Sequence, residues 1–142
     1  MKTILITGAG KGIGLETAKL AAADGHSVIA ISRNISALEV IEGVQAYSVD
    51  LSSEEAIHGF VQKIANTQID VLINNAGVLT NTPVVESSFA LFEKIYKVNV
   101  FGLAELTRQL LPQIPSSGHV VSISSMGGIQ GSAKFPGLSI YS

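Results

Sequence analysis

The strongest constraint on this chain lies in its first two dozen residues. Residues 2–7 read as a strand, which leads into the glycine turn Thr7-Gly8-Ala9-Gly10-Lys11-Gly12-Ile13-Gly14. Residues 13–23 then read as a helix, with Ala18, Leu20, Ala21 and Ala22 keeping it slim for close packing. A strand, a glycine turn and a helix in immediate succession open a parallel βα unit. The same alternation continues. Residues 27–32 read as a second strand and 44–49 as a third, joined by a short, poorly defined segment. Residues 53–67 read as a helix that Ser53 can cap, with Ala56, Phe60 and Ile64 recurring every four residues. Residues 71–74 form a fourth strand, 88–111 a long helix ending near Pro112, and 120–124 a fifth strand.

This order predicts an α/β fold: a Rossmann-like, doubly wound parallel sheet in three α/β/α layers, with right-handed crossovers. Composition agrees. Apolar residues make up 46% of the chain and charged residues 14%, which suits strands buried on both faces of a parallel sheet. A length of 142 residues holds one core, so residues 1–142 are expected to form a single domain. No apolar run approaches the ~18 residues of a membrane span, and the apolar start is too short for a secretion signal. No membrane partner and a cytoplasmic location are the expectations. The formal charge of −2, without a basic tract, gives no electrostatic footprint for nucleic acid. There is no cysteine, and His26, His58 and His119 lack ligand spacing, so no metal site is expected.

In a doubly wound sheet, ligands bind beyond the carboxyl ends of the strands. The residues there are chemically distinctive. Gly8, Gly10, Gly12 and Gly14 allow a tight turn and close approach of a pyrophosphate to the backbone. The following helix start, from Ile13, offers unbonded N–H groups and a partial positive charge. A Walker-type loop would need Ser or Thr after Lys11, and Gly12 stands there instead. The second strand ends in Ser32-Arg33-Asn34, with no acid. A carboxylate at that point suits the 2′-hydroxyl of NAD, whereas an arginine accommodates the 2′-phosphate of NADP. The third strand closes with Asp50-Leu51, which also suits a turn or helix cap because Ser52-Ser53-Glu54 follows. Asn74-Asn75-Ala76-Gly77 ends the fourth strand, its small residues leaving room for a ribose.

The spacing Thr-Gly-x-x-x-Gly-x-Gly and the run Asn-Asn-Ala-Gly resemble the short-chain dehydrogenase/reductase family, and the resemblance extends over the whole chain. It implies an NAD(P)-binding domain in which Gly8, Gly10, Lys11, Gly12, Ile13, Gly14, Ser32, Arg33, Asp50, Leu51, Asn75, Ala76 and Gly77 hold the cofactor. Asp50 would accept from the adenine amino group. Lys11 and Arg33 together favour NADP(H) over NAD(H).

The long helix places Phe92, Tyr96, Leu103, Leu106 and Leu110 on one face, and Asn99 falls in the same stripe. An amide on an apolar face must find hydrogen-bond partners. It can do so as a structural residue bonded to nearby backbone. The resemblance implies instead a catalytic asparagine that helps hold a water in a proton relay. After the fifth strand, Ser125 corresponds to the family's catalytic serine, although pattern alone does not separate it from Ser124. Tyr141 corresponds to the proton-transferring tyrosine. It stands sixteen residues after Ser125, a spacing longer than usual, with residues 130–137 as the insert.

The resemblance thus implies an oxidoreductase that transfers hydride between NADP(H) and a small-molecule carbonyl or alcohol, and that pairs as a homo-oligomer through its long helices. A phenol of pKa near ~10 needs a neighbouring cation to act at neutral pH. The family's lysine would fall at position 145, past Ser142, and Lys134 precedes Tyr141 on a loop. The expectation is therefore an incomplete, inactive fragment whose fifth strand is a bare sheet edge. A non-catalytic nucleotide sensor on the same fold is the alternative.

Overall fold

The structure is a computed structural model and describes residues 1–127. Five parallel strands form one sheet in the order β3-β2-β1-β4-β5: β1 (Thr3–Thr7), β2 (Ser27–Ser32), β3 (Val44–Ser48), β4 (Val71–Asn74) and β5 (His119–Ser122). The chain first builds outward from β1 to β3, then crosses back so that β4 lies on the other side of β1. Ile4 accordingly lies opposite Val28 in one neighbour and Val71 in the other. This reversal of direction is the switch point of the doubly wound sheet.

Alternation along the strands splits the core into two layers. On one face Leu5, Ile29, Ile31 and Leu72 pack with Ile57, Phe60 and Val61 of α2 (Glu54–Lys63) and with Leu106 and Leu110 of α4 (Leu103–Leu110). On the other face Ile6, Val28 and Ala30 meet Ala18 and Ala21 of α1 (Gly12–Ala23), with Leu38 closing the cluster. Each fully buried Leu or Ile stabilises this sandwich by ~1.5–3 kcal/mol. Leu38 belongs to the segment that shows no periodicity in sequence, yet it is fully buried beneath the turns between β2 and β3. Leu20 does not join the close-packed face of α1. It is 66% exposed, and the helix makes the contact through Ala18, Ala21 and Ala22 with Leu15.

Helix α2 starts as its sequence suggests, with Ser53 Oγ accepting from Ala56 N at 3.2 Å. It stops at Lys63 rather than near Thr67, because residues after Val61 tighten into i→i−3 bonds, such as Thr67 N to Ile64 O at 2.9 Å.

The long helix departs further from expectation. It is helical throughout, but α3 (Phe89–Tyr96) passes into α4 through a π-helical turn, Lys97–Gly102. A π turn adds one residue to the helical count, so residues upstream move one place around the axis. Ile95 is therefore the buried residue, while Tyr96 is 44% exposed. The apolar stripe through Tyr96 holds only downstream of the π turn, at Leu106 and Leu110. Gly102, in that turn, lies so close to the Leu51 carbonyl oxygen that an added Cβ would strike it. The backbone of the long helix thus bears directly on the residue after Asp50.

The strand β5 forms the edge of the sheet in the described residues, and all four of its residues are exposed. Among the described residues no helix is long and apolar enough to cross a membrane.

Candidate functional site

The carboxyl ends of β1 and β4 are locked together at the switch point. Thr7 is fully buried, and its Oγ1 accepts from the backbone N–H groups of Asn75 (3.0 Å) and Ala76 (2.9 Å). In return Asn75 Nδ2 donates to the carbonyls of Thr7 (3.0 Å) and Gly8 (3.3 Å). These four bonds fix the first glycine of the turn against the Asn-Asn-Ala-Gly run. The closeness shows in Gly8, whose φ is +65° and whose absent Cβ would lie 2.7 Å from Ala76 Cα.

The other glycines divide into two uses. Gly10 rests against the end of β2, where a Cβ would come within 2.5 Å of Asn34 O and Ser32 Oγ. Gly14 rests against Asn75 Nδ2 and Gly8 O, at 2.5 and 2.6 Å from the same hypothetical Cβ. Neither lines open space. Gly12, with φ +56° and nothing within 4 Å of its Cβ position, faces the cleft. Packing by Gly10 and Gly14 draws the turn onto β2 and β4, and leaves the start of α1 exposed. Lys11, at the N-cap position, makes no capping hydrogen bond, and the first turn carries no acid. The end of α1 therefore keeps its orphan N–H groups and its partial positive charge.

An open cleft of about 320 Å³ runs along these strand ends. Gly8, Lys11, Gly12 and Ile13 form one wall, and Ser32, Arg33, Asp50 and Leu51 a second. Asn75, Ala76 and Gly77 form the third. The structure thus brings together the sequence-predicted residues of four strand ends, with Gly10 and Gly14 lying behind the surface. Ile31, Val49, Val78 and Val98 also line it. These four were missed because an apolar residue near a strand end or on a helix reads simply as core. Together they supply the apolar slot that a flat ring system requires.

Arg33 and Lys11 make no ion pair among the described residues. The Arg33 backbone is held, since its carbonyl accepts from Ser48 Oγ at 3.0 Å. Asp50 does form a turn: its Oδ1 accepts from Ser52 N (2.9 Å) and Ser52 Oγ (2.8 Å). The Ser52 N–H and then its hydroxyl hold the Asp50 carboxyl below the ordinary range, with a smaller push from the Arg33 charge. Asp50 is therefore an ionised acceptor, and its Oδ2 receives no hydrogen bond among the described residues.

A second groove, of about 700 Å³, adjoins the first across Asn75, Ala76 and Gly77. Asn99, Ser122, Ser124 and Ser125 line it. Asn99 comes from the π turn, and both ends of its amide close on one residue. Oδ1 accepts from Val78 N at 2.7 Å and Nδ2 donates to Val78 O at 3.0 Å. The side chain is thus bonded to backbone and clamps the loop after Gly77 to the long helix. Ser125 is half-buried and its Oγ accepts from Gly127 N at 3.1 Å, whereas Ser124 is exposed. Asn74, absent from the sequence-predicted site, is 5% exposed and borders this groove, with Nδ2 donating to Thr107 Oγ1 at 3.0 Å. Its signal was the doubled asparagine itself. Tyr141 and Lys134 lie outside the described residues.

The comparisons with known proteins agree with this geometry. The chain matches the family model described as short chain dehydrogenase over residues 2–142. It is 32% identical to the NADPH-dependent 1-acyldihydroxyacetone phosphate reductase of Saccharomyces cerevisiae, over 99% of this chain and 50% of that protein. A solved short-chain dehydrogenase from Streptomyces avermitilis superimposes with a TM-score of 0.87 at 36% identity, over 99% of this chain and 54% of that one. The 3-ketoacyl-(acyl-carrier-protein) reductase from Brucella melitensis, solved with NADH, gives 0.87 at 27% identity, over 99% and 62%. The chain spans about half the length of the curated relatives it matches.

Proposed function

Because the chain belongs to the short chain dehydrogenase family, we propose that residues 1–142 form one dinucleotide-binding domain whose cleft takes NADP(H) in preference to NAD(H). The intact protein is then an oxidoreductase acting on a carbonyl or alcohol. One observation carries the cofactor reading. Lys11 and Arg33 stand on adjoining walls of one cleft, neither in an ion pair among the described residues, beside an uncapped helix end. The yeast relative's name includes NADPH dependence. The Brucella structure contains NADH, so fold alone does not choose the cofactor, and these two side chains are what support NADP(H).

The residues fit such a group. Gly8, Gly10 and Gly14 sit where a Cβ would strike backbone or a strand-end side chain, and this close packing forms a cradle. The first-turn N–H groups of α1 and the Gly12 backbone would meet the pyrophosphate. Arg33, with Lys11 beside it, would take the 2′-phosphate. Ser32 would border the adenosine ribose, and Leu51 and the valines its adenine, with Asp50 Oδ2 accepting from the amino group. Asn75, Ala76 and Gly77 would border the nicotinamide ribose.

When bound, the cofactor supplies the hydride. The protein orients the substrate oxygen and manages one proton. Ser125, in the adjoining groove, would hydrogen-bond the substrate oxygen, and Tyr141 would give or take the proton there. Asn99 acts on the Val78 loop and on the water of the proton relay. A small-molecule substrate, a homo-oligomeric assembly and a cytoplasmic site of action complete the reading.

Kinetics on the full-length protein test it. Tyr141→Phe and Ser125→Ala should each lower kcat by at least ~100-fold while the NADPH Kd stays within about twofold. Turnover that survives both substitutions would remove the assigned chemistry. Undiminished binding without any turnover by the unaltered full-length protein would favour a nucleotide sensor.

A further inference from the structure

The cleft does not end at Arg33. A side pocket of about 270 Å³ opens from it, sharing Arg33, Asp50, Val78 and Val98 and adding Glu93, Lys94 and Lys97 of the long helix. We infer that Lys94 and Lys97 form an outer cationic wall of the 2′-phosphate subsite and help set the cofactor preference. The inference rests on the NADP(H) reading above.

Its basis is a charge imbalance that the fold leaves uncorrected. Three cations, Arg33, Lys94 and Lys97, face two carboxylates, Asp50 and Glu93, in a chain whose formal charge is −2. Asp50 commits one oxygen to Ser52. Glu93 precedes Lys97 by four residues, the favoured helical spacing for an ion pair, yet the two do not pair. Lys94 and Lys97 stand three apart on a helix, where like charges repel. Neither lysine is explained by a helix end. Tyr96, Lys97 and Leu103 all have right-handed helical angles, so the helix continues past both lysines. Two exposed, neighbouring cations that open onto a cleft with a third cation form a site of raised positive potential. A dianionic phosphate held by Arg33 would lie within its field. Lys97 also borders a neighbouring depression with Glu54 and Glu105, whereas Lys94 lines the nucleotide side, so Lys94 should carry the larger share.

The test is calorimetric binding of 2′,5′-ADP and 5′-AMP to the whole chain. These probes differ by the phosphate in question and need no catalytic residue. Glutamine keeps the helix propensity of an exposed lysine. K94Q/K97Q should weaken 2′,5′-ADP by about fivefold at low salt and 5′-AMP by less than about twofold, with the difference fading near ~0.5 M salt. K94Q alone should account for most of it. An unchanged preference in K94Q/K97Q, together with a collapsed preference in Arg33→Gln, would overturn the role of the lysines and leave the NADP(H) reading standing. Equal binding of both probes by the unaltered chain would overturn that reading, and this inference with it.

Discussion

Two helices of this molecule begin in opposite ways. At α2 the chain satisfies its own helix end: Ser53 caps it, and Glu54 and Glu55 set negative charge in the first turn. At α1 nothing does so. Lys11 offers no capping oxygen, no acid follows, and glycines press the turn against its neighbours. A helix end without a cap or a countercharge costs stability. Evolution tolerates such a cost where a ligand supplies the missing partner. The contrast supports the proposal that a phosphate meets the start of α1. The end of α2 has been neutralised from within, and the end of α1 is the one proposed to take a phosphate from outside.

The contrast can be broken most severely at Gly14. A valine there would drive its side chain into Asn75 Nδ2 and Gly8 O, each within 2.6 Å of the first added carbon. Chemical denaturation should show Gly14→Val destabilised by about 3 kcal/mol, with nucleotide binding lost in whatever remains folded. Ser53→Ala should cost about 1 kcal/mol by the same measurement and leave nucleotide affinity unchanged, because that end serves only the fold. Gly59, inside α2, meets nothing within 4 Å of a Cβ, so Gly59→Ala should stabilise by about 0.8 kcal/mol. Glycine in α2 is thus dispensable where glycine in α1 is not.

The smallest effect sharpens the electrostatic half of the comparison. Arg108 of α4 lies near enough to Glu54 to feel its charge, and pairs with Glu105. Hydrogen bonds from Arg108 and then Gln109 hold the Glu105 carboxyl down from its ordinary 4.5 to about 2. A depressed acid contributes stability above its unfolded value and loses it as pH falls through the folded value. The melting temperature should therefore decline slightly between pH 4.5 and about 2, and Arg108→Ala should flatten that slope. The group is at the surface, so salt should flatten it as well.

Much of the architecture was legible in the sequence because strand-length apolar runs and cap residues are local signals. The spans of β2 and β4 match their expectation, and Ser53 caps α2 as its position suggests. What was not legible depends on distant contacts. Leu38 lies in a segment without periodicity and is buried in the cluster that β1, β2 and α1 build. The π turn has no local signature. It shows only when Gly102 meets the carbonyl of Leu51, a residue far back in the chain. Assuming a uniform 3.6-residue period therefore put Tyr96 on the buried face in place of Ile95.

The cleft was legible to a similar depth. Most of the polar and glycine residues read from four strand ends converge on it, but the sequence could not divide the glycines by use. Gly10 and Gly14 serve packing and Gly12 faces the opening, a distinction set by the neighbours each one meets. Asn99 illustrates the same point. Its amide is bonded at both ends to the Val78 backbone, a partner that helical spacing does not identify.

The most direct test of the central claim is calorimetric titration of the chain with NADPH and with NADH at one ionic strength. Both should bind, with NADPH tighter by about tenfold or more, and Arg33→Gln should lose that margin. Equal affinities, or tighter NADH, would contradict the assignment of Lys11 and Arg33. Failure of a folded chain to bind either would contradict the claim that the bare end of α1 is kept for a nucleotide.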